Sequence, residues 1–351
     1  MAKRYLAWLY TKHFLIVLIV LELFFLLIDF LQNQKDLPDS ANLSILYLYF
    51  ESIAALKITL PLSLSFGALS TFLYLIRTNE IIALLSFGYS RKQIIQPIFA
   101  IASFFAFFFI LINSTNVGYF YENGQSLLKN KDRSGATENL FFKFNDNYIY
   151  IQKLNPITQE AYGIKLFLLH NGAVESIVDS KKAKYTNDGW QLTNAKTIAI
   201  PTQMQISNSA LKIEINQSIR TLSGFKPKVI DSVSNLNAAL NITDMIDALF
   251  VLKNQDIDTE RIRQLLFATI LMPLLAPIAI IIMFAFAPIS ARFFNVTTFA
   301  SSSIFIILGG FGIISALSKA KFENIHLSLV MLAVAIVLFY IAARLYKREL
   351  T

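Results

Sequence analysis

The stretch that decides the fold is Asn147-Tyr148-Ile149-Tyr150-Ile151-Gln152, in which polar and apolar side chains alternate. A period of two is typical of half-buried β-strands. The stretch lies in a polar segment, residues 116–262, that contains no membrane-length apolar run, whereas the sequence on either side consists largely of such runs. The pattern therefore predicts a membrane α-helical bundle with an all-β domain inserted between its two halves.

Composition places the chain among integral membrane proteins. Only 15% of its 351 residues are charged, against about a quarter in soluble domains, and the mean hydropathy is +0.53. The net charge of +8 comes from basic residues at the ends of apolar runs, where the positive-inside rule puts them. Basic blocks for phosphate-backbone binding are missing, so no nucleic-acid partner is expected. The chain has no cysteine, which excludes disulfides, thiolate catalysis and cysteine metal sites.

Six apolar runs are long enough to cross a membrane, since about 20 apolar residues cover roughly 30 Å of hydrocarbon. They are residues 14–31, 53–76, 94–112, 265–286, 299–317 and 327–343. The first run is too long for a signal peptide and has no small-residue cleavage site, so we expect it to be retained. The predicted layout is three transmembrane helices in residues 1–115, the β-domain in 116–262 and three transmembrane helices in 263–351.

The charges of the short loops predict the orientation of the bundle. One side carries ten basic residues, namely Lys3, Arg4, Lys12, Arg77, Arg91, Lys92, Arg292, Arg344, Lys347 and Arg348. The other side carries Lys35, Lys319 and Lys321. The first side is expected to be cytoplasmic, which puts both termini inside and the β-domain outside.

Turn signals divide the β-domain into short strands. Turns are predicted at residues 145–147, 170–172 and 186–189, with strands near 148–152, 163–169, 190–192 and 211–215. Such spacing favours a sandwich or jellyroll-like fold. Its apolar interior is either a packed core or a slot for acyl chains. Residues 235–264 change to a helical period and predict a helix that leads back to the membrane.

Residues 77–92 are too short and too polar at both ends to span the membrane. They predict a short amphipathic helix on the cytoplasmic side, closed by Gly88. Such a helix can bind a soluble motor, with Glu80 as its acidic contact, or it can lie on the lipid surface. Glu80 fits the second alternative poorly, because lipid-surface helices favour a basic polar face.

The sequence carries no pattern of an enzyme. It has no Gly-x-x-x-x-Gly-Lys-Ser/Thr run for ATP phosphates and no His-Glu-x-x-His run. Its three histidines, at positions 13, 170 and 326, are far apart. The acidic residues Asp256, Asp258 and Glu260 lack the glycine and spacing of a calcium loop, and are better explained as the start of a helix. We expect no catalytic residue, no metal and no cofactor.

Three polar residues in or near the spans are candidates for lipid binding. Glu22 lies in the middle of the first span, where a carboxylate costs about 2.5–3.5 kcal/mol. It either faces the bundle interior or a cavity, or is neutral and hydrogen-bonded to a neighbouring helix. Lys57 lies about one turn into the second span. It either snorkels to the interface or, with Lys35, holds an anionic headgroup.

These features together resemble the lipopolysaccharide-export permeases of the LptF/LptG family. The resemblance is carried, in order, by Leu60-Pro61-Leu62-Ser63, by the run from Thr78-Asn79-Glu80-Ile81 through Gly88-Tyr89-Ser90-Arg91, by residues 147–151, by Gly189-Trp190-Gln191-Leu192 and by the proline-bearing fourth span. It covers essentially the whole chain, and the Gly-Trp-Gln-Leu run favours the LptG member.

The resemblance implies a subunit of an ABC transporter in the inner membrane. Such a permease pairs with a paralogous permease around a central cavity and is driven by a cytoplasmic ATPase dimer. It takes lipopolysaccharide from the outer leaflet and passes it, through its periplasmic β-jellyroll, to a bridge of similar β-jellyroll proteins that leads to the outer membrane.

The resemblance also implies roles for particular residues. Glu80 matches the acidic residue of the family's coupling helix, and the implied ATPase-coupling residues are Glu80, Ile81, Leu84, Gly88 and Arg91. Lys35 falls among the basic residues that meet the lipid's phosphates. Asp29 and Asp36 depart from the family, since a relative could carry lysine there.

Two other functions fit parts of the sequence. A lipoprotein-releasing or efflux-type ABC permease usually has its external domain after the first span, so the number of spans before the insert separates it from the first hypothesis. A membrane scaffold that transports nothing would not need Glu80.

Overall fold

A computed structural model describes most of the chain. The described residues are 1–128, 137–144, 147–155, 158–170, 173–186, 189–200, 212–222, 227, 240–252, 259–290, 292, 295–321 and 326–348. They divide into two compact units. One unit consists of Met1–Lys35, Leu48–Tyr121 and Arg263–Thr351, and the other of Asp36–Tyr47 and Glu122–Ile262.

Six helices in the described residues are long and apolar enough to cross a membrane. They are α1 (Ala2–Asn33), α2 (Ala41–Arg77), α4 (Arg91–Asn113), α7 (Glu260–Ala285), α8 (Val296–Lys319) and α9 (Leu327–Arg348). Shorter helices are α3 (Glu80–Ser86), a 3-10 turn at Asn116–Tyr119, α5 (Phe120–Gln125) and α6 (Ile242–Leu252). The six predicted spans are therefore confirmed.

Two of these helices begin about twelve residues before the predicted spans, α1 at Ala2 and α2 at Ala41. Both extensions contain good helix formers and neither contains glycine or proline, so the backbone continues as a helix where the sequence becomes polar. Hydropathy locates the part of a helix that suits hydrocarbon, and it does not locate the helix ends.

The first half of α1 packs into the bundle. Tyr10 is fully buried and its hydroxyl donates to the Leu64 carbonyl on α2 at 3.1 Å. The ring of Phe14 lies 5.0 Å from that of Phe105 on α4. Gly67 lets the α2 backbone approach Phe14 so closely that an added Cβ would lie 2.7 Å from the Phe14 Cα. Close backbone approach at small residues is the usual way in which helices associate in membranes.

The second half of α1 is largely uncovered within the chain. Leu23, Phe24 and Leu27 each expose more than half of their surface, whereas the buried residues of α1 are Leu6, Leu9, Tyr10 and Phe14. The tight packing of α1 is thus confined to the end of the bundle where the chain begins.

The other unit contains a six-stranded antiparallel sheet. Its strands are β1 (Thr137–Phe144), β2 (Asn147–Asn155), β3 (Glu160–His170), β4 (Ala173–Thr186), β5 (Gly189–Ala199) and β6 (Lys212–Thr221), and each pairs with the next in the order β1-β2-β3-β4-β5-β6. An all-β insert in a membrane bundle is therefore confirmed. The described strands form a meander, the simplest antiparallel topology.

Strand β2 shows the alternation that the sequence predicted. Ile149 and Ile151 are fully buried, whereas Tyr148 exposes 37% of its surface on the opposite face. On β5, Trp190 is the largest buried side chain, and its ring lies 5.7 Å from that of Tyr185. Ile149, Ile151 and Trp190 therefore lie on the apolar side of the sheet, since side chains alternate between the two faces of a strand.

Strands β1 and β4 were not predicted from the sequence. In β4, Ser180, Lys181 and Lys182 interrupt the apolar alternation. In β1, the three consecutive apolar residues Leu140-Phe141-Phe142 break the period of two. The predicted turns at 145–147, 170–172 and 186–189 have centres outside the described residues. Their flanks are paired as in hairpins, Phe144 with Asn147, His170 with Ala173 and Thr186 with Gly189.

The predicted return helix of residues 235–264 corresponds to α6 and the first turn of α7. The Asn241 side chain accepts a hydrogen bond from the Asp244 backbone N–H at 2.6 Å, which caps α6. Residues 228–239 and 253–258, including Asp256 and Asp258, lie outside the described part of the chain. Glu260 begins α7, the position expected from the helix dipole.

Gly67→Ala tests the close contact of α1 and α2. The added methyl would meet the backbone of Phe14, which cannot move as a flexible side chain can. We expect a loss of about 1–3 kcal/mol in unfolding free energy, measured by denaturant titration of the purified chain. Gly309→Ala is the matched control, because nothing in the described structure lies within 4 Å of the added Cβ. An equal effect of the two substitutions would contradict the contact.

Candidate functional site

Helix α3 is held between two sharp turns of the backbone. Asn79, before the helix, has a φ of 58°, and Gly88, after it, has a φ of 84°. Asparagine and glycine tolerate this left-handed conformation best, so the predicted closure of the helix by Gly88 is confirmed. Ser90 then caps α4 by accepting a hydrogen bond from the Gln93 N–H, while the Gln93 side chain accepts from the Ser90 N–H. This reciprocal capping box fixes the start of α4.

One face of α3 packs on the bundle and the other is exposed. Ile81 is 3% exposed and Leu84 packs against the same core. Ile82 is 38% exposed, and Phe87, just after the helix, is 81% exposed. We call the exposed surface of Ile82, Ala83, Ser86 and Phe87 the α3 outer face.

Glu80 begins α3 and contacts the first turn of α1. The Tyr5 hydroxyl donates to the Glu80 Oε2 at 2.8 Å. A carboxylate in the first turn of a helix also interacts favourably with the helix dipole. Glu80 is therefore held in position at the rim of the α3 outer face.

Arg91 joins α3 and α4 to the end of α7. Its guanidinium donates to the carbonyls of Phe284 at 2.7 Å and Ala287 at 3.0 Å, and its Cζ lies 5.3 Å from the centre of the Phe284 ring. The last carbonyls of a helix lack partners within the helix, so a cation there satisfies them and favours the dipole. The family resemblance implied that Arg91 is a coupling residue, and nothing in the sequence indicated these carbonyl contacts.

The α3 end of the bundle gathers several helix ends. The Ser290 hydroxyl lies 3.5 Å from the Asn79 side-chain oxygen, and the Lys92 Nζ lies 4.6 Å from the centre of the Tyr346 ring on α9. Together with Tyr5 and Arg91, these contacts bring the start of α1 and the ends of α7 and α9 to one side. These are the segments that the positive-inside rule assigned to one side of the membrane.

A cavity of about 340 Å³ lies at the opposite end of α1 and α2. We call it the lateral cavity. It is lined by apolar residues and by Asp29, Gln32, Glu51 and Tyr121. Burial raises the pKa of Tyr121 above its ordinary value, and the nearby charges of Glu51 and Asp29 raise it further. The polar lining of the lateral cavity therefore includes two carboxylates, Asp29 and Glu51. Nothing in the sequence indicated that Glu51 lines a cavity.

The contacts of the three predicted lipid-binding residues differ from one another. The Thr59 hydroxyl donates to the Glu22 Oε2 at 2.6 Å, while the Glu22 Oε1 is buried without a hydrogen-bond partner among the described residues. The Lys57 Nζ donates to the Gly118 carbonyl at 3.2 Å. Lys35, just after α1, is exposed. Glu22 thus has a hydrogen bond to the neighbouring helix, and the lipid contacts stay a prediction.

Six membrane-length helices in the described residues, with a β-sheet inserted after the third and a short helix between the second and third, define a multi-pass membrane protein. The sequence matches the family described as lipopolysaccharide export system permease LptF/LptG over residues 4–348, nearly the whole chain. The chain belongs to this family. It is therefore a permease component of lipopolysaccharide export in the inner membrane, and its system implies partner subunits. A comparison with curated proteins gave no match.

Arg91→Ala tests how α3 and α4 are held to α7. Removing the guanidinium leaves two part-buried carbonyls without this donor. Hydrogen bonds to charged groups contribute about 1.5–3 kcal/mol, so we expect the unfolding free energy to fall by about this amount. The control is Arg77→Ala, an exposed arginine at the end of α2. If both variants unfold like the unmodified chain, the carbonyl contacts do not stabilise the bundle.

Proposed function

We propose that this chain is one of two paralogous permease subunits of an ABC transporter that extracts lipopolysaccharide from the outer leaflet of the inner membrane. Residues 1–115 and 263–351 form its transmembrane halves, and residues 116–262 form a periplasmic β-domain. That domain passes the lipid to a bridge of β-jellyroll proteins. The observation that carries this proposal is the family match over residues 4–348. The family includes both LptF and LptG, and the preference for LptG stays a prediction.

The need for a separate motor follows from the energy of extraction. Removing acyl chains from a bilayer costs about 0.8 kcal/mol for each CH₂ group. A many-chained lipid therefore requires an energy source in every cycle, and the sequence has no phosphate-binding loop. A cytoplasmic ATPase dimer would supply the energy through residues 77–92, by biasing the cavity between two states.

The α3 outer face supports this coupling. It combines an exposed aromatic ring, Phe87, with a carboxylate, Glu80, that Tyr5 holds in place. Ile81 and Leu84 fix the helix on the bundle, and Arg91 connects it to α7, so a force applied at the outer face would reach both halves of the bundle. Gly88 allows the turn that this arrangement needs.

The exposed second half of α1 supports pairing with the paralogous permease. Its apolar side chains and the lateral cavity would face a space that the two subunits share. Lys35 and Lys57 would meet the phosphates of the lipid there, and Glu22 would lie deeper among its acyl chains. Asp29 and Glu51 would limit the phosphate contacts on this side.

A lipoprotein-releasing or efflux-type permease is the less favoured function. Its external domain would be expected after the first span, whereas three membrane-length helices precede the sheet in the described structure. A membrane scaffold that transports nothing is also less favoured, because such a protein would not need a surface for binding a motor at α3.

Glu80→Lys tests the coupling. We expect the ATPase recovered with the purified permease to fall about tenfold, equivalent to ~1.4 kcal/mol, and surface lipopolysaccharide to fall with it, while membrane insertion is unchanged. Tyr5→Phe is the control, because it removes the hydrogen bond and keeps the carboxylate. Normal recovery of the ATPase and normal surface lipopolysaccharide in Glu80→Lys would refute the coupling role. An equal loss of recovered ATPase in Glu80→Lys and Tyr5→Phe would show that the Tyr5–Glu80 hydrogen bond, and not the carboxylate itself, is required.

The double change Lys35→Glu and Lys57→Glu tests the phosphate contacts. A lysine near an anionic surface contributes about 1 kcal/mol, so photo-crosslinking of lipopolysaccharide to the bundle should fall about fivefold for each lysine. Lys57→Gln is the control for structure, since its amide can still donate to the Gly118 carbonyl. Unchanged crosslinking in the double variant would rule out these lysines as phosphate contacts.

A further inference from the structure

Helices α4, α7 and α9 enclose an apolar groove of about 560 Å³ that the proposed function does not use. Each helix presents one stripe to it. Phe99, Ser103 and Phe107 follow one another at intervals of four residues on α4, and similar stripes run along α7 and α9. Residues at this spacing lie on one face of a helix. The volume is within the range of roughly 300–1,000 Å³ that is typical of ligand clefts.

The groove has aromatic walls and a floor of small residues. Phe99, Phe107 and Phe339 expose 37%, 58% and 65% of their surfaces, respectively. Ser103 and Ala343 line the groove between them, and Pro277 contributes from α7. Proline cannot donate a backbone hydrogen bond and disturbs a straight helix. The walls and floor together form a concave apolar surface.

The groove is as long as one leaflet of a bilayer. From Gln96 to Phe107, α4 rises about 16 Å at roughly 1.5 Å per residue. Half of the hydrocarbon core is about 15 Å thick. Gln96, Tyr346 and Lys347 lie at the end of the groove nearest the α3 outer face, and the rest of its lining is almost entirely apolar.

Lysines surround that polar end. Lys347 lines the groove, and the Lys92 Nζ lies 4.6 Å from the ring of Tyr346, which also lines it. The Lys3 Nζ donates to the Gln96 side-chain oxygen at 3.1 Å. Lysines from three helices thus each line this end of the groove or contact a residue that lines it. Basic clusters at such depth bind the headgroups of anionic lipids.

We propose that this groove binds one phospholipid with an anionic headgroup, taken from the leaflet on the α3 side of the membrane. One acyl chain lies along the groove between Phe99, Phe107 and Phe339. The headgroup phosphate lies among Lys3, Lys92 and Lys347. This lipid is distinct from the transported one, because the groove lies on α4, α7 and α9, away from the lateral cavity of α1 and α2.

Native mass spectrometry of the purified full-length chain tests the headgroup contacts. The probes are phosphatidylglycerol and phosphatidylcholine with the same acyl chains. At about 1 kcal/mol, or fivefold, for each lysine, Lys92→Gln with Lys347→Gln should reduce the preference for phosphatidylglycerol about twenty-five-fold. Lys92→Arg should keep it, and so should Lys12→Gln, a lysine on α1 outside the groove. Equal binding of both lipids by the unmodified chain, or an unchanged preference in the double variant, would overturn the proposal.

Filling the floor tests the acyl-chain contacts. Ser103→Leu should weaken the binding of both lipids, whereas Ser302→Leu on α8, outside the groove, should not. Retained lipid binding in a folded Ser103→Leu variant would contradict the proposed position of the chain.

A photoreactive benzoylphenylalanine in place of Phe339 identifies the occupant in native membranes without disturbing the lysines. The proposal predicts a crosslink to phospholipid. A crosslink to a polypeptide, either a partner subunit or a second copy of this chain, would show that the groove is a protein interface and would overturn it.

Discussion

The contact between the Arg91 guanidinium and the carbonyls of Phe284 and Ala287 connects the parts of this molecule on which its function depends. It joins the start of α4, and through it α3, to the end of α7. The sequence separates these segments by the whole β-insert, and the membrane makes their association demanding, because polar backbone groups near the hydrocarbon need partners. One side chain satisfies two carbonyls at the end of α7 and at the same time fixes the position of α3.

The two ends of the bundle differ in how they are packed. At the α3 end, Tyr10, Phe14 and Gly67 hold α1 against α2 and α4, and Tyr5 connects α1 to Glu80. At the other end, α1 is largely uncovered and the lateral cavity opens beside it. A firmly packed end suits the transmission of force, and a loosely covered end suits a surface that has to admit and release a lipid. The energy of packing is thus concentrated where the proposed motor binds.

The sequence predicted the elements whose physics is local. Apolar runs of membrane length predicted all six spans. The alternation at Ile149 and Ile151 predicted β2, and Gly88 predicted the end of α3. Features that depend on distant parts of the chain were not predictable. The partners of Arg91, the burial of Ile81 and the place of Glu51 in the lateral cavity all depend on how helices pack, and β4 was missed because three polar residues interrupt its pattern. The sequence shows the charges of Lys35 and Lys57, but the hydrogen bond of Lys57 to the Gly118 carbonyl depends on tertiary packing and was not predictable.

We propose that this permease is passive and is moved by a separate cytoplasmic motor that binds at α3. Because the natural chain has no cysteine, Phe87→Cys places a single thiol on the α3 outer face. Thiol-directed crosslinking in intact membranes then measures directly what contacts that face. We expect a specific crosslink to an ATPase subunit, and we expect its yield to change when ATP is added. A thiol that crosslinks to no ATPase, or that is modified only by reagents confined to the periplasm, would contradict it.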